Sequence, residues 1–307
     1  MRRFLLRRLL HALFVVWGVV TVVFFLVRLT GDPSAFLVDQ TATQAEIAHA
    51  RHLLGLDRPM WVQYVEFLGS VPRGDFGTSI RDRRPAMRMV LEHFWPATAE
   101  LALASLVLST VLAVPLGVVS ATHRDRAPDH LSRLGSLFLQ SMPSFWLGLM
   151  LILLFAVHLG GLLPAYGAGS WRHLVLPAVT LAAAPLAQNV RLVRSGLLEV
   201  LQQDYVRTAR AKGLGEGLVI YRHALRNAAI PVITVTGLSL GFMLSGAIII
   251  ETVFSWPGLG RLVVQAVPAR DFPVIQAGVF VFAVIFVALN VLVDLLYTVV
   301  DPRVRLP

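Results

Sequence analysis

Six stretches of this sequence are apolar over enough residues to cross a membrane as helices. The hydrocarbon core of a bilayer is about 30 Å thick, and a helix spans it with about 20 mostly apolar residues. Prolines within these stretches do not exclude helices, because neighbouring helices can satisfy the backbone groups that a proline leaves free. We therefore predict an all-α polytopic membrane protein with six transmembrane helices, near Leu9–Val27, Thr98–Ser120, Leu134–His158, Leu174–Val193, Ile230–Ile250 and Val274–Val300.

The first stretch follows a basic N-terminus, as a secretory signal does. Its apolar run is longer than the about 7–15 residues usual for a signal, and Leu29–Pro33 offers no small-residue cleavage site. We predict that this helix is retained. The chain then divides into the first transmembrane helix with its basic N-terminus (1–28), a folded external segment (29–97) and a five-helix core (98–307).

The distribution of basic residues predicts that both termini are cytoplasmic. Arginines cluster before the first stretch, between the second and third, between the fourth and fifth, and after the sixth. Short loops rich in Lys and Arg stay on the cytoplasmic side. The 29–97 segment is also basic, but a loop of that length has little weight in this rule.

Composition excludes several classes of function. The chain has no Cys, so it has no disulfide, no Cys-ligated zinc and no thiol nucleophile. Its net charge of +9 comes from basic residues that flank apolar runs, without the interleaved aromatics of a nucleic-acid surface. We predict no metal site.

The external segment has the pattern of two helices. Thr43 and Glu46 form a capping box, and Gly55 supplies a stop. Pro59 opens a second, amphipathic helix. Asp75–Gly77 resembles a kinase motif, but the sole lysine, Lys212, lies far from it, so a structural turn is favoured. The apolar face of the second helix is predicted to contain Trp61, Val65 and Leu68.

The loop between the fourth and fifth stretches has a helix–Gly–helix pattern. Asp204 is predicted to cap a short helix through Lys212, and Gly213 to end it in the left-handed conformation. A second basic helix is predicted over Glu216–Asn227, with Pro231 opening the fifth span. A charged loop that merely obeys the positive-inside rule would explain the arginines. It would not explain the helical pattern or the small residues Ala209 and Ala211, which suit docking into a partner's groove.

These residues resemble a known family. The Asp204–Gly213 and Arg222–Asn227 segments, with Pro231, resemble the cytoplasmic coupling loop of binding-protein-dependent ABC transporter permeases, most of all the first permease type of the dipeptide/oligopeptide/nickel branch. The wider family has Glu-Ala-Ala where this chain has Arg207-Thr208-Ala209, which weakens a generic salt-bridge mechanism. The resemblance covers essentially the whole chain and includes Gly74–Gly77, Pro143–Gly148, Glu251–Gly260, Val293–Tyr297 and Asp301–Arg303.

The resemblance implies type I ABC importer architecture in a bacterial inner membrane. It implies a heterodimer with a second permease, two cytoplasmic ATPase subunits and an external solute-binding protein, with di- or oligopeptides as cargo. Nickel chelates, haem and glutathione are carried by similar permeases. The chain has no Gly-x-x-x-x-Gly-Lys-Ser/Thr phosphate loop, so we predict a transport subunit without its own cofactor, with ATP and Mg on the partner ATPases.

Site residues follow from the same patterns. Residues near 194–229 are expected to couple to the ATPase: Asp204, Arg207, Thr208, Ala209, Ala211, Lys212, Gly213, His223 and Asn227. Polar residues within spans are candidates for the pore: Gln140, Ser141, Ser144, Gln188, Asn189, Ser239 and Ser245. Helix–helix hydrogen bonds are the alternative role for the pore candidates.

Four more charged residues have predicted roles. A carboxylate within a span is costly, so Asp294 is predicted to make a structural or gating contact, with substrate binding as the alternative. Glu251 is assigned the same structural or gating role. Between Glu251 and Pro273, a short helix over Arg261–Val267 is predicted to help receive the binding protein, with Arg261 and Arg270 facing its acidic groups. A packed external cap is the alternative for that segment.

Two other functions stay open at this point. An ion-gradient-driven secondary transporter would show internal repeats and charged sites in mid-membrane. A membrane-embedded enzyme would show a nucleophile elbow, a His-Glu-x-x-His helix or paired membrane aspartates. The sequence has none of these enzyme motifs, shows no repeat between its halves and has almost no charges in mid-span.

Overall fold

The computed structural model describes residues 2–32, 34, 43–53 and 55–300. Within these ranges the regular structure is helical, apart from an isolated β-bridge between Thr78 and Pro85. The α-helices, in chain order, are α1 Arg2–Leu29, α2 Gln44–Leu53, α3 Met60–Ser70, α4 Ala86–His93, α5 Ala99–Thr122, α6 Ala127–Ser141, α7 Ser144–Leu151, α8 Trp171–Val200, α9 Asp204–Ala211, α10 Glu216–Leu218, α11 Leu225–Val253, α12 Leu259–Ala266 and α13 Phe272–Val300.

Short pieces of other helical types extend some of these helices. A 3₁₀ turn, Val71–Arg73, follows α3. Three π-helical pieces, Phe94–Thr98, Ile152–His158 and Val219–Ala224, follow α4, α7 and α10.

In the part of the chain that the structure describes, five helical segments are long and apolar enough to cross a membrane, and a bent pair makes a sixth span if it is counted as one. The five are Leu6–Leu29, Ala86–Thr122, Trp171–Val200, Val235–Val253 and Phe272–Val293. Each overlaps a predicted stretch.

The third predicted span, Leu134–His158, is not one helix. The helices α6 and α7, the latter with its π extension, meet at an angle of 105°. Met142 is extended, with φ −82° and ψ 132°, and Pro143 follows it. A proline disfavours the helical conformation of the residue before it, so the chain turns here. The prediction of a continuous helix was wrong.

The chain forms two compact units: unit 1 comprises Met1–Ala99 with Pro257–Val287, and unit 2 comprises Glu100–Trp256 with Ala288–Pro307. Neither coincides with one of the three predicted regions, and that division stays a prediction.

Unit 1 is organised around aromatic side chains. Phe24 of α1 is fully buried, and its ring centroid lies 5.2 Å from that of Tyr64 and 5.1 Å from that of Phe67. Phe76 continues the cluster to Phe280 of α13, at 5.1 Å. The five rings join three helices and the turn after α3.

The buried face of α3 differs from the predicted one. Trp61 and Val65 are exposed, whereas Tyr64 and Phe67 contact the aromatic cluster. Both sets have helical spacing, and only packing distinguishes them.

The turns of the segment before α4 agree with prediction. The Thr43 N–H donates to Glu46 Oε2 at 2.7 Å, and the Glu46 N–H donates back to Thr43 Oγ1 at 3.4 Å, so the capping box is confirmed. The hydrogen bonds from Thr43 hold the pKa of Glu46 below its ordinary value. Gly55 is left-handed, with φ 65°, just after α2. The Gly77 N–H donates to Asp75 Oδ1 at 2.9 Å, which confirms a structural turn.

The predicted short helix near Arg261–Val267 is α12. The Thr98 hydroxyl accepts a hydrogen bond of 2.8 Å from the Leu259 N–H and so satisfies one of the free donors at the helix start. Helix α13 begins at Phe272, so Pro273 lies in its first turn and does not precede it.

Close approaches at small residues organise unit 2. A Cβ added to Gly117 of α5 would lie 2.5 Å from the Val193 Cβ of α8, and one on Gly196 would lie 3.1 Å from the Ala228 carbonyl of α11. Small residues allow helix backbones to approach closely in membranes, where burial from water does not drive association.

Candidate functional site

A cavity of about 270 Å³ lies in unit 2, where α8 and α11 meet the bend between α6 and α7. Four of the seven pore candidates line it: Gln140, Ser144, Gln188 and Ser239. Apolar side chains, among them Leu147, Leu181, Phe242 and Met243, complete the wall. All of the lining residues are described, and none is charged. The cavity can therefore offer amide and hydroxyl hydrogen bonds without a fixed charge.

Two prolines shape this cavity. The bend at Met142–Pro143 separates Gln140 from Ser144 and leaves both at the cavity wall. Pro185 lies inside α8 and has no N–H to donate to the Leu181 carbonyl, and both residues line the cavity.

The other three pore candidates lie outside this cavity. Ser141 is exposed and donates to the Leu137 carbonyl at 2.8 Å. Ser245 is exposed on α11. Asn189 is fully buried and donates to Thr236 Oγ1 at 3.1 Å, and its Oδ1 has no hydrogen-bond partner among the described residues. For Asn189 the geometry matches the helix–helix alternative.

The basic loop after α8 contains the predicted short helix, α9. Its start differs from prediction: Gln203 is the N-cap residue, without a side-chain hydrogen bond, and Asp204 is the first helical residue. Its end agrees, because Gly213 is left-handed with φ 76°. The helix attaches to the chain through Val206 and Ala209, which pack against Val200, Leu201, Leu214 and Val219.

The opposite face of α9 is exposed and mostly polar. It includes Arg207, Thr208, Arg210, Ala211 and Lys212. Ala209 belongs to the buried face, so of the two small residues only Ala211 is accessible. The helix thus presents a basic, compact surface.

The second predicted helix of this loop is not a separate element. Residues from Glu216 onward run through α10 and a π-helical piece directly into α11. Pro231 lies inside α11 and does not open it. Asn227 donates to the Tyr205 hydroxyl at 2.7 Å and so ties α11 to α9, while His223 is half-buried.

Sequence reasoning missed a buried ion pair in unit 2. Asp129 of α6 has no exposed side-chain surface, and Arg194 of α8 donates to both of its oxygens, at 2.6 and 2.7 Å. The residues are 65 positions apart and belong to no motif, so only their charges entered the sequence argument.

The remaining predicted residues lie in different places. Glu251, near the end of α11, is fully buried. Arg270 donates to the Asp32 carbonyl at 3.1 Å within unit 1, and Arg261 is half-buried on α12. The Asp294 side chain lies outside the described side chains, as do Asp301 and Arg303. Among the described residues, no group of three or more His, Asp or Glu could hold a metal ion.

Comparison with known proteins decides the family. The model of the binding-protein-dependent transport system inner membrane component matches residues 113–306, and the model of the N-terminal part of such membrane components matches residues 1–102. The chain belongs to this family. It is a membrane-spanning permease subunit of a binding-protein-dependent ABC importer, located in the inner membrane, and it is a transport subunit, not an enzyme. Neither a secondary transporter nor a membrane-embedded enzyme is favoured.

Relatives in the family match over the full length. The glutathione transport system permease protein GsiC of Escherichia coli (strain K12) is 42% identical over 306 residues, with 99% of each chain covered. GsiC of Salmonella typhimurium has the same identity and coverage. The dipeptide transport system permease protein DppB of Alkalihalophilus pseudofirmus is 41% identical, with 99% of this chain and 100% of the relative covered.

Solved structures share the fold. The MetNI methionine ABC transporter matches with a TM-score of 0.55 at 16% identity, covering 70% of this chain and 97% of that chain. An amino acid ABC transporter matches with a TM-score of 0.54 at 13% identity, covering 68% and 93%. The architecture is that of a type I ABC importer permease, as the sequence predicts.

Proposed function

We propose that this permease imports di- or oligopeptides, including glutathione-like peptides, through a pathway of which the unit 2 cavity forms one wall. The observation that carries the proposal is the lining of that cavity: the carboxamides of Gln140 and Gln188 beside the hydroxyls of Ser144 and Ser239. A carboxamide offers both a donor and an acceptor, as a peptide group does. The names of the GsiC and DppB relatives support the same cargo.

The absence of charge in the lining suits passage rather than retention. A peptide has charged termini whatever its sequence. A fixed charge in the wall would hold one terminus, whereas neutral amides and hydroxyls exchange hydrogen bonds with water at little net cost. Selection among peptides then lies mainly with the external binding protein.

Membership of the family supports a proposal for the rest of the transporter. We propose a heterodimer with a second permease, two cytoplasmic ATPases that hold ATP and Mg, and an external binding protein. Both termini are cytoplasmic, which places α9 on the ATPase side. The predicted regions 1–28, 29–97 and 98–307 are then the first helix, an external segment and the core.

Helix α9 is the proposed contact with the ATPase. Its Val206–Ala209 face is used for attachment to α8, and its basic face is exposed. Asp204, Arg207, Thr208, Ala211 and Lys212 would meet the ATPase groove. Gly213 would set the exit from the helix, and His223 and Asn227 would support it from behind.

Reconstitution tests the cargo. The two permeases, the two ATPases and the binding protein are placed in proteoliposomes, and ATP-dependent uptake of labelled dipeptides, glutathione, nickel chelates and haem is measured separately. We expect uptake of peptides. Preference for haem or a nickel chelate would overturn the cargo, and uptake driven by an ion gradient without ATP would overturn the mechanism.

The Gly213→Val variant tests the coupling role. A β-branched residue is strained at φ 76°, so the end of α9 should move and uptake should fall while ATP hydrolysis continues. Gly215→Val is the matched control, because Gly215 has φ −61° and no atom of the described residues lies within 4 Å of an added Cβ. Arg207→Glu, on the exposed face, should uncouple in the same way. Undiminished uptake in both Gly213→Val and Arg207→Glu would remove α9 from the coupling path.

A further inference from the structure

The Asp129–Arg194 pair occupies an unusual position in unit 2. Asp129 lies in the first turn of α6, and Arg194 lies near the end of α8 that leads to α9. Each oxygen of Asp129 accepts two hydrogen bonds: Oδ1 from Arg194 Nε at 2.6 Å and Ser120 Oγ at 2.6 Å, and Oδ2 from Arg194 Nη2 at 2.7 Å and the Asp125 N–H at 3.0 Å. The carboxylate is fully satisfied, and its geometry is fixed from three directions.

Helix α6 depends on this pair more than on apolar packing. All fifteen of its residues are described, and only Asp129 and Ser136 are buried. Four of its five large apolar side chains are exposed, namely Leu131, Leu134, Leu137 and Phe138, and Leu139 is half-buried at the cavity. The first turn of α6 is therefore attached by a directional, bidentate contact, and the bend at Met142–Pro143 follows its last residue.

The pair connects the two parts of the candidate site. On α8, Arg194 is six residues from Gln188 in the cavity and six from Val200, which packs against α9. On α6, Asp129 is eleven residues from Gln140, or about 16 Å at the helical rise. Packed side chains thus connect α9 to the end of α8, and the guanidinium–carboxylate contact connects α8 to α6.

We propose that Asp129 and Arg194 are positioning residues for transport: they transmit movement of α9 to α6, and so move Gln140 at the cavity. This inference rests on the proposed function of α9 and the cavity. The pair touches neither cargo nor ATPase and acts through the helices that it joins. A purely structural pair would only stabilise the fold, whereas this pair sets how much uptake each ATP yields.

The test measures uptake and ATP hydrolysis in parallel in the reconstituted transporter. Asp129→Asn keeps the shape and removes the charge; we expect hydrolysis to remain and uptake per ATP to fall about tenfold, an ordinary size for coupling between sites. Asp125→Asn is the matched control. Asp125 is four residues away and exposed, and its left-handed φ of 59° suits Asn, so its uptake per ATP should equal that of the wild type.

If the transporter that carries Asp129→Asn does not assemble, two milder variants test the same proposal. Arg194→Lys keeps the charge but loses the bidentate contact, and Ser120→Ala removes one of the four donors. Arg194→Lys should lower uptake per ATP by less than Asp129→Asn does, and Ser120→Ala should lower it by less than Arg194→Lys does. Uptake and hydrolysis that fall together, in proportion to the amount of assembled transporter, would show a structural role only and overturn the proposal.

The reaction rate of a cysteine introduced at residue 140 is a measurement that does not depend on the stability of the fold. The chain has no native Cys, so Gln140→Cys gives a single reactive thiol. Its reaction rate with a small aqueous reagent should change on ATP binding, and Asp129→Asn should abolish that change. A change that persists in Asp129→Asn would overturn the proposal. If the wild-type transporter shows no ATP-dependent uptake at all, the proposed function itself fails, and the two failures are distinct.

Discussion

Unit 1 and unit 2 hold their helices together by opposite means. In unit 1, large rings fill the space between elements: Phe24, Tyr64, Phe67, Phe76 and Phe280. In unit 2, side chains are removed so that backbones approach, as at Gly117 and Gly196. Unit 1 also contains a close contact of the second kind, at Gly278 against Val263.

The difference indicates which substitutions damage each kind of contact. A core of interlocked rings is damaged by lost volume, because the cavity that is left loses its dispersion contacts. A contact between glycine and a neighbouring helix is damaged by added volume, because helices in van der Waals contact cannot yield without shifting. The aromatic cluster of unit 1 and the glycine contacts of unit 2 should therefore respond in opposite ways to substitutions that change side-chain size.

Phe24→Ala should give the largest effect. Phe24 is fully buried among three other rings, and truncating a buried Phe costs about 3–5 kcal/mol of stability. Phe14 of the same helix is exposed, so Phe14→Ala is the matched control. The measurement is the apparent Tm of the purified transporter. Equal Tm values for the two variants would show that the aromatic cluster does not support α1.

Gly117→Ala should give the next largest effect. The added Cβ would lie 2.5 Å from the Val193 Cβ and 3.0 Å from the Val190 carbonyl, and overpacking of this kind costs about 1–3 kcal/mol. Gly135→Ala on α6 is the control, because no atom of the described part of the chain lies within 4 Å of its added Cβ and Ala favours a helix. If both variants keep the wild-type Tm, α5 and α8 can separate freely, and the comparison between the units fails.

Local signals in the sequence predict much of this fold. Thr43 and Glu46 need only each other to form a capping box, and Gly213 needs only its own backbone to end a helix. The long apolar runs predict spans for the same reason, since length and hydropathy are properties of one segment. Each of these predictions depends on residues that are close in the chain.

Features that depend on distant residues were not predictable. Pro115, Pro177, Pro185 and Pro231 stay inside helices, whereas Pro143 ends one. Each proline removes one helical hydrogen bond, so the surrounding helices decide whether the chain continues or turns.

The faces of helices and the ion pair belong with these unpredictable features. On α3, the predicted apolar face and the face that contacts the aromatic cluster both have helical spacing. Hydropathy does not distinguish the two faces, because lipid or a partner protein is also apolar. The Asp129–Arg194 contact joins residues that are 65 positions apart in the sequence, and no local pattern predicts it. Two of the four pore candidates that line the cavity, Gln140 and Ser144, lie beside the bend that the sequence did not show.

Cysteine accessibility sharpens the description of unit 2. Gln188 and Asn189 are neighbours on α8, but Gln188 lines the cavity and Asn189 is buried against Thr236. Cysteine at 188 should react with small aqueous reagents in at least one nucleotide state, and cysteine at 189 much more slowly. Cysteines at 140 and 144 should behave like the one at 188. If none of these three is ever accessible, the cavity is not part of the pathway.

The smallest expected effect concerns the surface of unit 1, where charge matters more than volume. Arg261 lies half-buried on α12, a short helix fixed by the Thr98–Leu259 hydrogen bond. Arg261→Glu should slow hydrolysis stimulated by the binding protein, most strongly at low salt, and leave basal hydrolysis unchanged, because rim charges act on association rate. The Arg270 guanidinium donates to the Asp32 carbonyl, so its reversal also removes a contact within unit 1. Arg270→Glu should lower basal and stimulated hydrolysis together through loss of that contact. The ratio of stimulated to basal activity, measured against salt for both variants, separates a docking charge from a structural one. An unchanged ratio in Arg261→Glu would favour the packed external cap.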